Sequence, residues 1–455
     1  LFRSVVVISK QRWLVERLGW RNFMLGSISI YVLGAVVCGI SGDLTSFTVG
    51  RVVMALGGAS FMTSARLMVN LLPPGPGRFV GVKVFATGLA SGTAAAPFLS
   101  SLAVVEDTWH AIFWLLIVGA VAAGVLCMRF LPSEPIHEDE RSPSSPANIL
   151  LLSVSTFFLL YVLQRSYYDF YNESIILLAF ALLAALGVYI FFHAEHAKDE
   201  PFLKVKDLMQ SRYILGVGLF CFTYIVLGSN NYILPYFLQS GLGYSWDTIG
   251  TFQAFGLAGA LLTWFAMALV IPKYPAPKKF FVVGFAALIS FGLLLSSLTL
   301  DANMWSHILP ALVLNGCFVM LVLATAAMQT FRDVTHHDTL FAHAYQIKSM
   351  LGQIAMAIGT TLATLFLQWR TTLQYNNLNG HFNPGDPLYQ DSAQRLTQAL
   401  SPAVGAGPAN QIAVATLAQD LHQQATLVAS MEYFWVVIVV AGVALGVSMV
   451  QKTFK

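Results

Sequence analysis

Charge is what this sequence has least of. Only 10% of its 455 residues are Asp, Glu, Lys or Arg, against roughly a quarter in a soluble globular chain. With 56% hydrophobic residues and a mean hydropathy of +0.68, that shortage excludes a large soluble protein. Cysteine is scarce too. Cys38, Cys127, Cys221 and Cys317 each fall inside an apolar run, without the spacing of a disulfide framework or a zinc site, so they read as packing residues. No Gly-x-x-x-x-Gly-Lys-Ser/Thr loop occurs, which argues against ATP-driven chemistry. A membrane enzyme would want His, Asp or Glu clustered at one membrane face, and no such cluster is seen; His336-His337-Asp338 reads as a solvated turn. The alternating ten-residue strands of an outer-membrane barrel are also missing. Finally, the 22 acidic residues lie almost entirely in loops, with Asp43, Asp247 and Glu432 touching only the outer ends of apolar runs.

What the chain has in quantity is apolar runs of about 20 residues, each the length of a helix crossing a hydrocarbon core about 30 Å thick. Helices satisfy their own backbone in lipid. Twelve spans are expected, at about 23–42, 46–71, 79–104, 111–131, 148–164, 175–193, 213–238, 248–272, 280–299, 306–328, 341–367 and 432–451, with residues 1–9 as the end of another. The fold class is therefore all-α and polytopic, with the lipid bilayer as its first partner. Taking the basic stretch 10–21 as cytoplasmic places seventeen of the 25 Lys and Arg on that side. Only Arg165, Arg370 and Arg395 face the other side, and Arg3, Arg51, Arg66, Lys83 and Lys348 sit at membrane depth. That is the positive-inside pattern. The net charge of +3 reflects it and gives no reason to expect a nucleic-acid partner.

Three regions follow from composition. Residues 1–131 form an N-terminal helix bundle. Residues 132–212 hold two cytoplasmic linkers, the acidic Pro132–Pro146 and His193–Arg212, flanking an inserted helix pair poor in glycine. Residues 213–455 form a C-terminal bundle with a long polar exterior loop, 369–431. In the second half of that loop, Leu417, Leu421, Gln424 and Val428 share one helical face. The loop reads either as a solvated cap or as a docking surface for a periplasmic adaptor (membrane fusion) protein and an outer-membrane channel.

The stretch Arg12-Trp13-Leu14-Val15-Glu16-Arg17-Leu18-Gly19-Trp20-Arg21 is similar to the Gly-x-Leu-x-Asp-Arg-x-Gly-Arg-Arg loop of the major facilitator superfamily. Acid, Arg and second Gly keep their types, while Arg12 stands in place of the first Gly. Arg51-Val-Val-Met-Ala-Leu-Gly57-Gly58-Ala59 resembles the family's fourth-helix motif. Gly88-Leu-Ala-Ser-Gly92 with Ala96-Pro97-Phe98-Leu99-Ser100-Ser101 resembles its fifth-helix antiporter motif, and Trp109-His110-Ala111-Ile112-Phe113 its Trp-Arg-Trp-Ile-Phe segment. In the second half, Tyr236–Ser245 resembles the outer turn before the tenth helix, and Gln346-Ile-Lys348-Ser-Met-Leu-Gly352 the entry to the thirteenth. Within the superfamily the order of motifs resembles the 14-span drug:proton antiporters of the EmrB/QacA type.

That resemblance implies a major facilitator fold of two six-helix bundles plus an inserted pair. The spans are then family helices 3 to 14, with the first one and a half helices absent from this chain. It implies a proton-coupled exporter of lipophilic or amphipathic small molecules in a bacterial inner membrane, with no cofactor beyond the proton gradient. An importer or a lipid or metabolite flippase of the same fold is the alternative. The resemblance gives Glu16, Arg17, Gly19, Arg21, Gly88, Gly92 and Pro97 gating roles and makes Arg51 the candidate for proton coupling. The titrating carboxylate that such relatives carry in helix 1 falls outside this sequence. Polar and aromatic groups in apolar context are the candidates for substrate contact: Asn230, Asn231, Tyr232, Tyr236, Gln253, Asn315, Met320, Gln346 and Gln353. The amides also suit helix-to-helix hydrogen bonding. Lys348 reads as a cytoplasmic-side gate or a snorkelling residue.

Overall fold

The computed structural model describes residues 2–70, 72–73, 75–105, 109–135, 146–170, 172–196, 206–271, 276–299, 301–334, 336–380 and 387–454. Among these the regular structure is helical throughout. The α-helices are α1 (Phe2–Gly39), α2 (Leu44–Gly58), α3 (Phe61–Asn70), α4 (Pro76–Val105), α5 (Trp109–Phe130), α6 (Pro146–Asp169), α7 (Ser174–His196), α8 (Ser211–Tyr236), α9 (Trp246–Val270), α10 (Pro277–Ser296), α11 (Leu309–Thr330), α12 (Asp338–Asn379), α13 (Pro387–Val404) and α14 (Ala406–Val450). Twelve stretches are long and apolar enough to cross a membrane, each overlapping one of the expected spans.

Helices α1 to α5 pack among themselves, and α8 to α12 with α14 form a second group; α6 and α7 pack on each other. The groups meet where α4 lies along α9 and where α1 and α3 touch α12. The inserted pair braces that second seam: Ile8 of α1, Leu152 of α6, Phe191 of α7 and Met350 of α12 share one buried cluster. Most of the buried apolar side chains belong to the second group, around Phe237, Phe281, Phe285, Phe291, Phe318 and Phe434. Large residues such as Val84, Leu115, Leu182 and Val443 remain exposed on the flanks, as a lipid-facing surface requires.

Lipid is as apolar as leucine, so helix association in a membrane rests on close packing and hydrogen bonds. The α8–α12 contact shows both. A Cβ at Gly359 would overlap the Ile225 carbonyl oxygen, and one at Gly228 would overlap that of Met356. The approach lets Ser229 Oγ donate to the Gly359 carbonyl at 2.9 Å and Thr360 Oγ1 to that of Gly228 at 3.3 Å.

The fold departs from the sequence expectations in three places. Residues 10–18 are helix, so the expected loop at 10–21 is reduced to a break at Gly19, whose φ of 76° and ψ of 159° interrupt α1. The expected exterior loop is helical where described: α12 continues to Asn379, α13 follows, and α14 starts at Ala406. At 1.5 Å per residue these two long helices are each about 60 to 70 Å, roughly twice the bilayer core. The face that α14 buries there carries Ala409, Ala413, Leu417, Leu421 and Ala425. Gln424 and Val428 are exposed, because the contact with α13 follows a spacing of four. Most of the 132–146 and 193–212 linkers, and Asn383-Pro384-Gly385, lie outside the described residues.

Gly359→Ala is expected to cost about 1–3 kcal/mol by overpacking, read as a lower detergent-melting temperature. Gly442→Ala, where a Cβ meets nothing within 4 Å, should leave it unchanged.

Candidate functional site

The residues that join the two helix groups gather at the end of the bundle that the Lys/Arg bias assigns to the cytoplasm. Here the N-terminal turns of α1 run antiparallel to the first turns of α12. Arg12 Nε donates to Glu16 Oε1 at 2.6 Å, one helical turn away, and Glu16 is only 2% exposed. The same guanidinium crosses the seam. Its Nη1 lies 2.6 Å from His343 Nε2 and 3.5 Å from the Thr339 carbonyl oxygen. Guanidinium has only donors, so in this contact His343 accepts through Nε2. One turn deeper, Gln346 Nε2 donates to the Ile8 carbonyl oxygen at 3.0 Å. On the α3 side Gln11 Nε2 donates to Ser64 Oγ at 2.8 Å. The seam is thus closed by polar contacts held in an apolar surround.

The rest of the motif positions this seal. Arg17 and Lys10 stand 4.1 Å from the Trp13 ring, and Arg17 Nη1 donates to the Trp13 carbonyl at 3.3 Å. Gly19 turns the chain against the segment that leaves α5: its Cβ would lie 2.6 Å from the Ser133 carbonyl oxygen. Arg21 contributes its backbone N–H, which donates to the Pro132 carbonyl at 3.0 Å. Only glycine combines that positive φ with that approach.

The second seam runs along α4 and α9. Trp264 Nε1 donates to Thr87 Oγ1 at 3.1 Å, and Gly250 packs on the Pro97 carbonyl and Ser101. Pro97 therefore sits where the halves touch. Gly88 and Gly92 do not: no described atom lies within 4 Å of the Cβ either would carry.

The other sequence candidates are spread. Asn230 Nδ2 donates to Asn315 Oδ1 at 2.9 Å and Tyr433 Oη donates to Asn230 Oδ1 at 2.9 Å, a buried triad tying α8, α11 and α14 together. Tyr232 stacks on Tyr236, with centroids 6.1 Å apart, while Asn231 is exposed. Gln253 and Gln353 are half-buried. Met320 packs beside Met267 and Phe280 on the α9–α10–α11 side. Arg51 stands exposed on α2, near Tyr31 and Cys38. At the outer end, Arg370 forms a two-point pair with Glu432, Nε to Oε2 at 2.6 Å, and Gln374 donates to the same carboxylate at 2.8 Å. Asp43 caps α2, and hydrogen bonds from the Ser46 hydroxyl and backbone hold its carboxyl below the usual carboxylate range.

Sequence reasoning missed the roles of Arg12, His343 and Tyr433. The signal for Arg12 was its departure from the motif, a charge where the pattern has glycine. The other two are set by partners far away in the chain.

Among the described residues, twelve membrane-length helices, arranged as two groups that meet at polar seams and an inserted pair, make a polytopic α-helical membrane protein. Comparison with known proteins agrees: the model of the Major Facilitator Superfamily matches residues 12–360, and this chain belongs to that superfamily. It is 22% identical over 399 residues to the uncharacterized MFS-type transporter YhcA of Bacillus subtilis, covering 87% of this chain and 73% of that protein. Over 366 residues it is 26% identical to a Salmonella paratyphi A protein provisionally named multidrug resistance protein MdtD, covering 80% and 75%. Among solved structures, the human organic anion transporter MFSD10 shares the fold with a TM-score of 0.55 at 15% identity, covering 97% and 81%. A POT family transporter in complex with a thioalcohol-conjugated peptide does so with 0.56 at 14%, covering 100% and 87%.

Arg12→Ala removes charge-assisted hydrogen bonds of about 1.5–3 kcal/mol, which shifts a closed-to-open equilibrium roughly tenfold or more toward open. Labelling of a Ser9→Cys reporter by an impermeant maleimide in inside-out vesicles should rise by at least about that factor. An unchanged rate would mean that Arg12 holds nothing shut.

Proposed function

We propose that this protein is a proton-coupled secondary exporter of lipophilic or amphipathic small molecules. It works by alternating access in a bacterial inner membrane, as the 14-span drug:proton antiporters do. The observation that carries the reading is the polar seal between α1 and α12. A contact made of Arg12, Glu16, His343 and Gln346 can be exchanged for water-mediated contacts when the halves rock apart, whereas an apolar weld would resist opening. Packed interfaces of this kind switch between discrete arrangements. The α4–α9 seam, with Pro97 at its contact, then serves as the line about which the halves move. Half-buried Gln253 and Gln353 and the stacked Tyr232 and Tyr236 supply the mixed apolar and amide surface that suits varied lipophilic cargo, and the name of the MdtD relative points the same way. The coupling group is Arg51, acting with a carboxylate. Helices α12 and α14, each longer than a membrane is thick, present with α13 a surface for a periplasmic adaptor leading to an outer-membrane channel.

Cells loaded with fluorescein as its uncharged diacetate should retain several-fold less dye when they produce the protein than when they do not, and a protonophore should erase the difference. Retention that stays low after the gradient collapses would overturn the proton coupling. Dye uptake that rises with expression would favour an importer.

A further inference from the structure

Helix α12 carries a second cation just beyond the seal that the seal does not use. Lys348 is 3% exposed. Rings surround its ammonium, with centroids at 4.3 Å for Phe220, 5.1 Å for Tyr345 and 5.4 Å for Tyr224. Its one hydrogen bond among the described residues goes to the Tyr224 hydroxyl oxygen at 3.3 Å. An ammonium has three donors to place.

Three other cations on the spanning helices have acids: Arg12 has Glu16, Arg165 has Asp169 and Arg370 has Glu432. No carboxylate among the described residues pairs with Lys348. Across the seam a further cation is in the same position. Arg66 of α3 donates to the neutral Asn70 Oδ1 at 3.0 Å and lies 5.2 Å from the Phe341 ring. Phe341 in turn stacks on Tyr345 at 6.1 Å. Arg66, Phe341, Tyr345 and Lys348 therefore form a row from one half into the other, with a positive charge at each end and rings between. Both charges act on Tyr345. A like-charged pair in a low-dielectric seam is costly without an anion between its members.

We propose that Lys348 and Arg66 form an anion-binding site between the halves, and that the cargo is a lipophilic organic anion. Phe341 and Tyr345 fill the space between the cations in this arrangement; when α3 and α12 part, the carboxylate or sulfonate enters between Lys348 and Arg66, and the aromatic body lies against Phe220, Tyr224, Phe341 and Tyr345. The inference deepens the transporter reading by naming the substrate class. A lipophilic cation would meet two like charges at this place; an anion relieves their repulsion and ties the halves together while bound.

The test is equilibrium binding by fluorescence anisotropy, with the full chain in phosphatidylcholine nanodiscs and two xanthene dyes of similar shape, anionic fluorescein and cationic rhodamine 6G. Fluorescein should bind at least about tenfold tighter than rhodamine 6G. Lys348→Gln should weaken fluorescein by about tenfold or more and leave rhodamine 6G unchanged, while Lys348→Arg keeps most of the affinity. Arg66→Gln should act in the same direction and decides the matter if Lys348→Gln does not elute as a folded monodisperse protein. Tighter binding of rhodamine 6G, fluorescein binding indifferent to both substitutions, or binding of neither dye would overturn the proposal. Adding phosphatidylglycerol separates the two sources of an anion. Unchanged fluorescein affinity supports a soluble cargo, and competitive loss would give the site to a lipid phosphate and overturn the cargo assignment. No gradient or direction enters this measurement, so a failure of the export reading leaves it intact.

Discussion

A guanidinium placed in an apolar seam must have partners, and the closed arrangement of this protein depends on how Arg12 finds them. Burying a charge without compensation is far costlier than any single packing contact. Glu16 supplies the counter-charge from one turn away, and His343 and the Thr339 carbonyl take the Nη1 donors from the other half. Separating α1 from α12 therefore demands that water or another acceptor replace them. That requirement makes the seam hold when dry and release when wetted.

The two groups of helices are built differently around this constraint. The second is consolidated by a large aromatic core and by the Asn230–Asn315–Tyr433 triad. Small-residue contacts between α8 and α12 add to it. The first has smaller buried clusters, one around Ala35, Cys38, Met54 and Phe113 and one around Val15, Phe23 and Met24. Its outer faces are left to lipid. The inserted pair lies against both α1 and α12, where it braces the seam. At the opposite end, the Arg370–Glu432 pair joins α12 to α14 within one group, so it stiffens that group and does not span the halves.

The membrane-spanning architecture was legible in the sequence because hydropathy is a local property: each apolar run carries its own evidence of a helix. The break at Gly19 was also legible, since a glycine between a charged turn and an apolar run signals a special backbone. What was not legible depended on distance. Arg12 meets His343 across 331 residues and Asn230 meets Tyr433 across 203, and no pattern within a window reports such pairs. The amides of Asn230 and Asn315 carry equal signals for binding a ligand and for binding each other; only their 2.9 Å separation distinguishes the two. The buried face of α14 shows the same limit at smaller scale. Gln424 and Ala425 are neighbours on the helix, and the position of α13 decides which of them is covered.

The most direct test of the seal is a distance distribution across it. Spin labels at Leu18 and Arg332, both exposed, would be introduced with the four native cysteines replaced by serine and measured by double electron–electron resonance. The account predicts a dominant short-distance population in the otherwise unaltered protein and a marked transfer to a longer one when Arg12→Gln is added. The same distribution with and without Arg12 would contradict it.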